Sequence, residues 1–284
     1  MTTIGIVSPG AMGSALGLAW QSGGATAVAT VAGRSARTRG LAAGLTLLDD
    51  LDAVVASSDV VVSVCPPAAA EDAMAAIVAA CRRTTSSPVV ADLNAVSPAT
   101  VEVLAERVAG AGLELVDGSV SGPPPGPGGA TMLYLSGGRA EALADLPAEG
   151  LRTRVVGDRP GQASAVKMCT ASVYKGTTAL WAQALQTADA LGVLDVVVDD
   201  LAEEFPGTAG AAGHLIALAT SKSARFVGEM EQIAATQGAA GASPELFEAM
   251  AAVYRRLSGT PLARLSPEEA GALRDLDEVL ARLR

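Results

Sequence analysis

"IGIVSPGAMGSALG", residues 4–17, passes from a β-branched run through a tight turn into small, helix-forming residues. It is nearly the nucleotide fingerprint G-x-G-x-x-G, with Gly10 and Gly13 in the second and third places and Ser8 in the first. In that fingerprint the first glycine permits a tight bend and the second lets a pyrophosphate approach the backbone. The third lets the helix close on its strand. The two glycines with steric reasons to be glycine are kept. Ser8 is small and Pro9 presets a turn, so the bend is feasible provided that position does not demand positive φ. A phosphate would then lie over Ser8, Pro9, Gly10, Ala11, Met12 and Gly13, at the positive end of the helix. A purely structural turn has the same appearance, and only the strand–turn–helix context favours the cofactor reading.

Outward from this stretch the first half of the chain alternates. Strand-like runs ("TIGIV", "ATVA", "DVVVSVC", "PVVADL", "LELVDGSV", "TMLYLSG") are separated by alanine-rich helical segments. Continuous apolar strands between helices imply a parallel sheet covered on both faces. "SPATVEVLAE" carries a helix start, with Ser97 as cap and Pro98 in the first turn. After "RVVGDRPG" the strand signals stop, and a helical pattern runs from Gln162 to about Leu191. Further helices include "SARFVGEMEQIAATQG" and "SPELFEAMAAVYRRL". The expected architecture is a Rossmann-type, doubly wound α/β domain over residues 1–160, followed by an all-α domain over residues 161–284. A helix of ~30 residues, roughly 45 Å long, exceeds what a small domain needs and implies a homodimer.

Composition narrows the function. The chain has 284 residues, 50% of them hydrophobic, and a formal net charge of −10, which argues against a nucleic-acid partner. No apolar stretch is long enough to span a bilayer, and no basic residue precedes Arg34, so neither a membrane nor a secretory signal is expected. The three cysteines, Cys65, Cys81 and Cys169, stand singly, which implies a reducing cytoplasm rather than disulfides or a metal site. One histidine, His214, leaves little material for a zinc site or a serine–histidine triad.

The second strand leads into "TVAGRSARTRG", which has no acid but has Arg34, Arg37 and Arg39. An enzyme selecting NAD usually places Asp or Glu there to accept from the ribose hydroxyls. Arg34 could instead form charge-assisted bonds to a 2′-phosphate, with Ser35 adding a hydroxyl, so the expected cofactor is NADP. For Arg37 and Arg39 a solvated helix start explains the charge equally well. "CPP" (65–67) ends a strand at the sheet's carboxyl edge, which makes Cys65 and Pro66 candidate cofactor contacts.

Two later motifs are "VDGSVSGPPPGPGGATMLYLSGG" (116–138) and "GQASAVKMCTASVYKG" (161–176). With the N-terminal fingerprint they resemble the β-hydroxyacid dehydrogenase family, relatives of 6-phosphogluconate dehydrogenase, over most of the chain and in the same order. The resemblance implies that "D-x-x-V-S-G", here Asp117, Val120, Ser121 and Gly122, grips a small-molecule substrate through Ser121 and Gly122. It also implies that Lys167, six residues after Gly161, moves the proton. Chemistry supports Lys167 separately. Hydride transfer at a carbon needs a proton partner on the oxygen, and arginine cannot give up its proton. The only lysines are Lys167, Lys175 and Lys222. Burial and the start of a helix are expected to lower the Lys167 pKa.

The chain also departs from that family. Where the family has asparagine four residues after the lysine, this sequence has Ala171. Thr170 and Tyr174 share the helix face of Lys167 and are the candidate substitutes in the substrate site. The family's "D-S-S-T" loop is "DLNA" (92–95), with Asn94 as its candidate polar cofactor contact. A later family lysine has no counterpart at "VGEM" (227–230). The leading expectation is an NADP-dependent oxidoreductase acting on a hydroxyacid or related alcohol/carbonyl pair, with the substrate between the domains. Related imine reductases usually lack the lysine and are one alternative. A non-catalytic NADP-binding sensor is the other.

Overall fold

The computed structural model describes residues 1–129 and 131–284; Ala130, inside the 116–138 motif, lies outside the described residues. The chain divides into two compact units, Met1–Met168 and Cys169–Arg284.

The first unit is built on one eight-stranded sheet. The strands are β1 (Thr3–Val7), β2 (Thr26–Thr30), β3 (Thr46–Leu48), β4 (Val60–Ser63), β5 (Val89–Asp92), β6 (Leu115–Ser121), β7 (Thr131–Ser136) and β8 (Leu151–Gly157). Their spatial order is β3-β2-β1-β4-β5-β6-β7-β8. The helices are α1 (Ala11–Ser22), α2 (Ala36–Leu41), α3 (Leu51–Ala56), α4 (Ala70–Thr84), α5 (Pro98–Ala109), α6 (Glu141–Ala144) and the start of α7 (Gln162–Ala190).

Alternation along the strands loads both faces of the sheet. Ile4, Ile6, Val60, Val62 and Ala91 pack with Leu16 and Trp20 of α1 on one face. Val7, Val61 and Val90 pack with Val55, Ile77 and Leu104 of α3, α4 and α5 on the other. The order reverses between β2-β1 and β4-β5, so the carboxyl ends of β1 and β4 flank the switch point where doubly wound sheets hold ligands.

Two features differ from the sequence reading. The sheet is not wholly parallel, because β7 runs antiparallel to β6. The described residues between them, 122–129, are rich in proline and glycine and contain no helix to carry a parallel crossover, so the chain turns back beside itself. Strand β3 and helix α3 were not anticipated either, while α2 starts where Arg37 and Arg39 suggested a helix. Thr46 and Leu47 are exposed, so β3 lacks the apolar run that announces a strand. The α5 start follows its signature: Ser97 Oγ accepts the Thr100 N–H and Pro98 takes the first turn.

The second unit is helical among its described residues. After α7 come α8 (Leu194–Glu204), α9 (Pro206–Ala209), α10 (Ala212–Thr220), α11 (Ser223–Ala239), α12 (Glu245–Ser258), α13 (Pro267–Ala272) and α14 (Leu276–Ala281). Phe226 of α11 meets Tyr254 of α12 edge-on at 5.3 Å, and the Tyr254 hydroxyl donates to the Lys175 carbonyl at 2.7 Å. Glu229, buried on α11, pairs with both Lys175 and Arg225, which satisfies a carboxylate that would be costly to bury alone. Among the described residues no helix is long and apolar enough to cross a membrane.

Candidate functional site

The N-terminal turn places Ser8 at φ +66°, the left-handed conformation that glycine adopts most readily. The condition under which the bend suits serine, that the position not demand positive φ, is therefore not met. The position does require it, and Ser8 adopts it while Arg34 Nη2 donates to its hydroxyl at 3.0 Å. Pro9 is buried, and its carbonyl accepts from the Ser14 hydroxyl at 2.7 Å. A Cβ on Gly13 would lie 2.9 Å from the Ser8 carbonyl oxygen and 3.2 Å from Ile6 Cγ2, so only glycine lets α1 close on β1. A Cβ on Gly10 would meet nothing within 4 Å, which leaves the space in front of the turn open to a ligand. Helix α1 begins at Ala11 and Met12 with no capping side chain and no acidic residue in its first turn. Those amides are therefore available to an anion.

This turn forms one wall of a cavity of about 440 Å³ in the first unit, lined by Ser8, Gly10, Arg34, Cys65 and Pro66 together with Thr38, Val64, Ala69, Asp72 and Ala73. Five residues chosen from separate parts of the sequence thus converge at the switch point. Its one carboxylate, Asp72, belongs to α4 and not to the end of β2, where a ribose-binding acid would sit. The open Gly10 face, the uncapped helix start and Arg34 fit a dinucleotide carrying phosphates. Ser35 is the N-cap of α2: its hydroxyl accepts the Thr38 N–H at 3.2 Å and lies 3.1 Å from the Thr38 hydroxyl. Its hydroxyl is thereby occupied locally.

Asn94 is not among the residues lining the cavity but is buried behind it. Its Oδ1 accepts the Cys65 N–H, and its Nδ2 donates to Ser63 at 3.1 Å and to Asp92. Burial pushes the Cys65 thiol up from its ordinary range, while the Ser63 hydroxyl opposes the shift.

The second group surrounds the start of α7. Lys167 is half-buried, and its Nζ donates to the Val120 carbonyl at 2.8 Å, immediately before Ser121. Ser121 ends β6, and the exposed Gly122 follows at φ +116°. Asp117 of the same strand has a role that sequence reasoning missed. It accepts from the Ser136 hydroxyl (2.9 Å), the Gly161 N–H (2.8 Å), the Ser164 N–H (3.0 Å) and the Ser164 hydroxyl (2.6 Å). It thereby takes up free amides at the start of α7. Ser119 adds a bond to the Ala163 carbonyl at 2.7 Å. Gly161 needs to be glycine because its φ is +98°. The only sequence signal for this clamp was an acid embedded in an apolar strand, which must find donors once buried.

Along α7, Thr170, Ala171 and Tyr174 follow Lys167 at i+3, i+4 and i+7. Thr170 is partly exposed, Ala171 is buried, and Tyr174 is 71% exposed. In the second unit Tyr174 lines an apolar cavity of about 390 Å³ with Lys175, Trp181, Leu215, Lys222 and Phe226. Burial there pushes the Lys222 ammonium down from its ordinary value. Among the described residues no cluster of histidine, cysteine and carboxylates could hold a metal.

Residues 3–148 match the family described as the NAD binding domain of 6-phosphogluconate dehydrogenase, and residues 188–257 match one described as a domain of unknown function, DUF1932. Among solved structures the chain is similar to a conserved hypothetical protein from Sinorhizobium meliloti 1021. The two are 28% identical, with a TM-score of 0.69 and coverage of 100% of this chain and 97% of that one. Its fold is also that of 3-hydroxyisobutyrate dehydrogenase from Mycobacterium tuberculosis, solved with L-serine (20% identity, TM-score 0.71, 100% and 99% covered). An imine reductase variant from Myxococcus stipitatus in complex with NAD+ shares the fold (22% identity, TM-score 0.58, 100% and 99% covered). Among curated proteins none matches the sequence.

Proposed function

The chain belongs to the family of the NAD-binding domain of 6-phosphogluconate dehydrogenase, and from that premise we propose that it is an NADP-dependent oxidoreductase acting on a small hydroxyacid or related alcohol/carbonyl pair. The observation that carries the cofactor reading is the cavity at the switch point, with Arg34 on its wall and no acid at the end of β2. The amides of Ala11, Met12 and Gly13 would hold the pyrophosphate, and Arg34 would pair with the 2′-phosphate. When bound, the nicotinamide supplies or accepts the hydride.

The chain's own groups do the rest. Ser121 and Gly122 orient the substrate, and Lys167 holds a proton at the substrate oxygen, giving it up or taking it as the carbonyl or alcohol forms. The Val120 carbonyl occupies one of the ammonium's three protons and so aims the group. Thr170 and Tyr174 follow on the same helix face and supply hydroxyls in place of the family's asparagine.

Imine reduction is the second reading. It is supported by the buried Ala171 where an amide would serve a hydroxyacid, and by the exposed Tyr174 as a proton donor. A panel of hydroxyacids, aldehydes and cyclic imines, assayed with NADPH and NADH, separates the two. Tight NADPH binding without oxidation by any substrate would leave a non-catalytic sensor. A homodimer is proposed from Val173, Tyr174, Leu180, Leu191 and Val196, each more than 60% exposed in the second unit, since isolated proteins seldom leave so much apolar surface in water. A mass measurement in solution tests it.

A further inference from the structure

Asp92 ends β5 and is completely buried. Its oxygens face Asn94: Oδ2 accepts the Asn94 backbone N–H at 3.3 Å, and Oδ1 accepts from Asn94 Nδ2. Asn94 Oδ1 in turn accepts the backbone N–H of Cys65, a wall residue of the switch-point cavity. A hydrogen-bonded relay therefore runs from a buried carboxylate to the cavity wall.

A side-chain amide has an acceptor on one side and donors on the other. An ionised Asp92 only accepts, so it selects the orientation in which Nδ2 faces the carboxylate and Oδ1 faces the Cys65 N–H. A protonated Asp92 carries a donor and is a poorer acceptor, which weakens that preference. The amide can then turn its oxygen to the acid, which would set Nδ2 against the Cys65 N–H, donor against donor.

We propose that Asp92 is a positioning residue for the dinucleotide: its ionised form sets the Cys65 backbone through the Asn94 amide, and its protonation releases that wall and weakens cofactor binding. The inference rests on the dinucleotide reading of the cavity.

Burial pushes the Asp92 carboxyl up to about 7, with neighbouring Asp117 adding to the shift, so the switch falls within an accessible range. The titratable groups that act on this site are Asp117, in register with Asp92 on β6, and the Cys65 thiol after β4, itself influenced by Arg34. Asp117 already accepts from Ser136, Gly161 and Ser164, and the thiol is pushed upward, away from this range. The Ser63 hydroxyl also bonds Asp92 and accepts from Asn94 Nδ2, so Asn94 and Ser63 together feel the Asp92 proton, and Asn94 passes it to the Cys65 N–H.

The test is fluorescence titration of the full chain with NADPH and with NADH from about pH 5.5 to about pH 8.5, comparing wild type, Asp92→Asn and Asn94→Ala. The NADPH 2′-phosphate titrates near pH 6 for every protein alike, so the ratio of variant to wild-type Kd is the quantity read, and NADH lacks that group. For Asp92→Asn the ratio should rise from near one in acid to about tenfold at the alkaline end, the worth of one charge-assisted hydrogen bond. If Asp92→Asn does not fold, Asn94→Ala carries the test, because removing the relay should give a ratio that rises in the same direction. A ratio that stays constant with pH overturns the inference while leaving the dinucleotide reading intact. Wild type that binds neither cofactor at any pH overturns that reading, and the inference with it.

Discussion

The Asp117 carboxylate grips Ser164 twice, accepting its hydroxyl at 2.6 Å and its N–H at 3.0 Å, and so bolts the helix that carries Lys167 to the strand that ends in Ser121. Lys167 lies three positions after Ser164, so the clamp and the Lys167–Val120 bond at 2.8 Å work within one helical turn. Asp117→Ala would leave the Gly161 and Ser164 amides and two hydroxyls buried without their acceptor. A loss of about 3 kcal/mol or more is expected, because each stranded donor costs about 1–3 kcal/mol. Urea unfolding measures it, and a loss below about 1 kcal/mol would contradict the clamp.

The left-handed backbone at Ser8 makes opposite predictions for two substitutions. Ser8→Gly should change stability by less than about 1 kcal/mol, since glycine adopts this conformation freely while losing only an exposed bond to Arg34. Ser8→Val should cost about 2 kcal/mol, because a β-branched residue is a true outlier at positive φ. Thermal melts of both variants decide the matter, and equal melting temperatures would mean that Ser8 is not held in this conformation.

In the proposed reading Arg34 sets cofactor choice. Arg34→Asp should weaken NADPH binding about tenfold to a hundredfold, the worth of a charge-assisted bond at about 1.5–3 kcal/mol, and should leave NADH unchanged or tighter. The ratio of the two dissociation constants measures this. An unchanged ratio would remove Arg34 from the phosphate site.

Lys167→Met should lower turnover about a hundredfold to ten-thousandfold, the usual contribution of a positioned proton donor, while NADPH affinity stays within about threefold. Steady-state rates alongside cofactor titration separate the two effects. Full turnover in this variant would defeat the proposed proton transfer.

Asp92 predicts a pH-dependent stability of unusual sign. Its carboxyl is raised from 3.8 to about 7, so the native chain holds this proton more firmly than the unfolded one. The contribution is full below about pH 4 and is lost as pH rises through about 7, at up to about 1.4 kcal/mol per unit. Melting temperatures of Asp92→Asn relative to wild type should therefore rise from about pH 5 to about pH 8. A difference that does not change with pH would show that Asp92 is not raised.

Much of the site was legible because its chemistry depends on local pattern. Gly13 is needed where α1 crosses β1, and the strand–turn–helix order announces that crossing. The absence of an acid after β2 is visible in "AGRSAR" without any coordinates. Asn94 was legible only as a polar candidate, and the links from Asn94 to Cys65 and from Asp117 to Gly161 were not legible at all. Asp92 and Asn94 are two residues apart, but Cys65 follows another strand and Gly161 lies far along the chain, and no spacing rule connects them.

The sequence by itself determined the alternation of strands and helices, the span of the long helix, and the nucleotide fingerprint with its basic neighbour. Each follows from residues a few positions apart, where periodicity, propensity and turn chemistry act. Only the tertiary structure decided that Ser8 takes a left-handed backbone, that β7 turns back against β6, and that two buried aspartates lie side by side at the sheet's carboxyl edge. Those outcomes depend on which strands pair and on what each buried polar group finds to bond. Hydrogen bonds across the sheet satisfy groups that the linear chain keeps far apart.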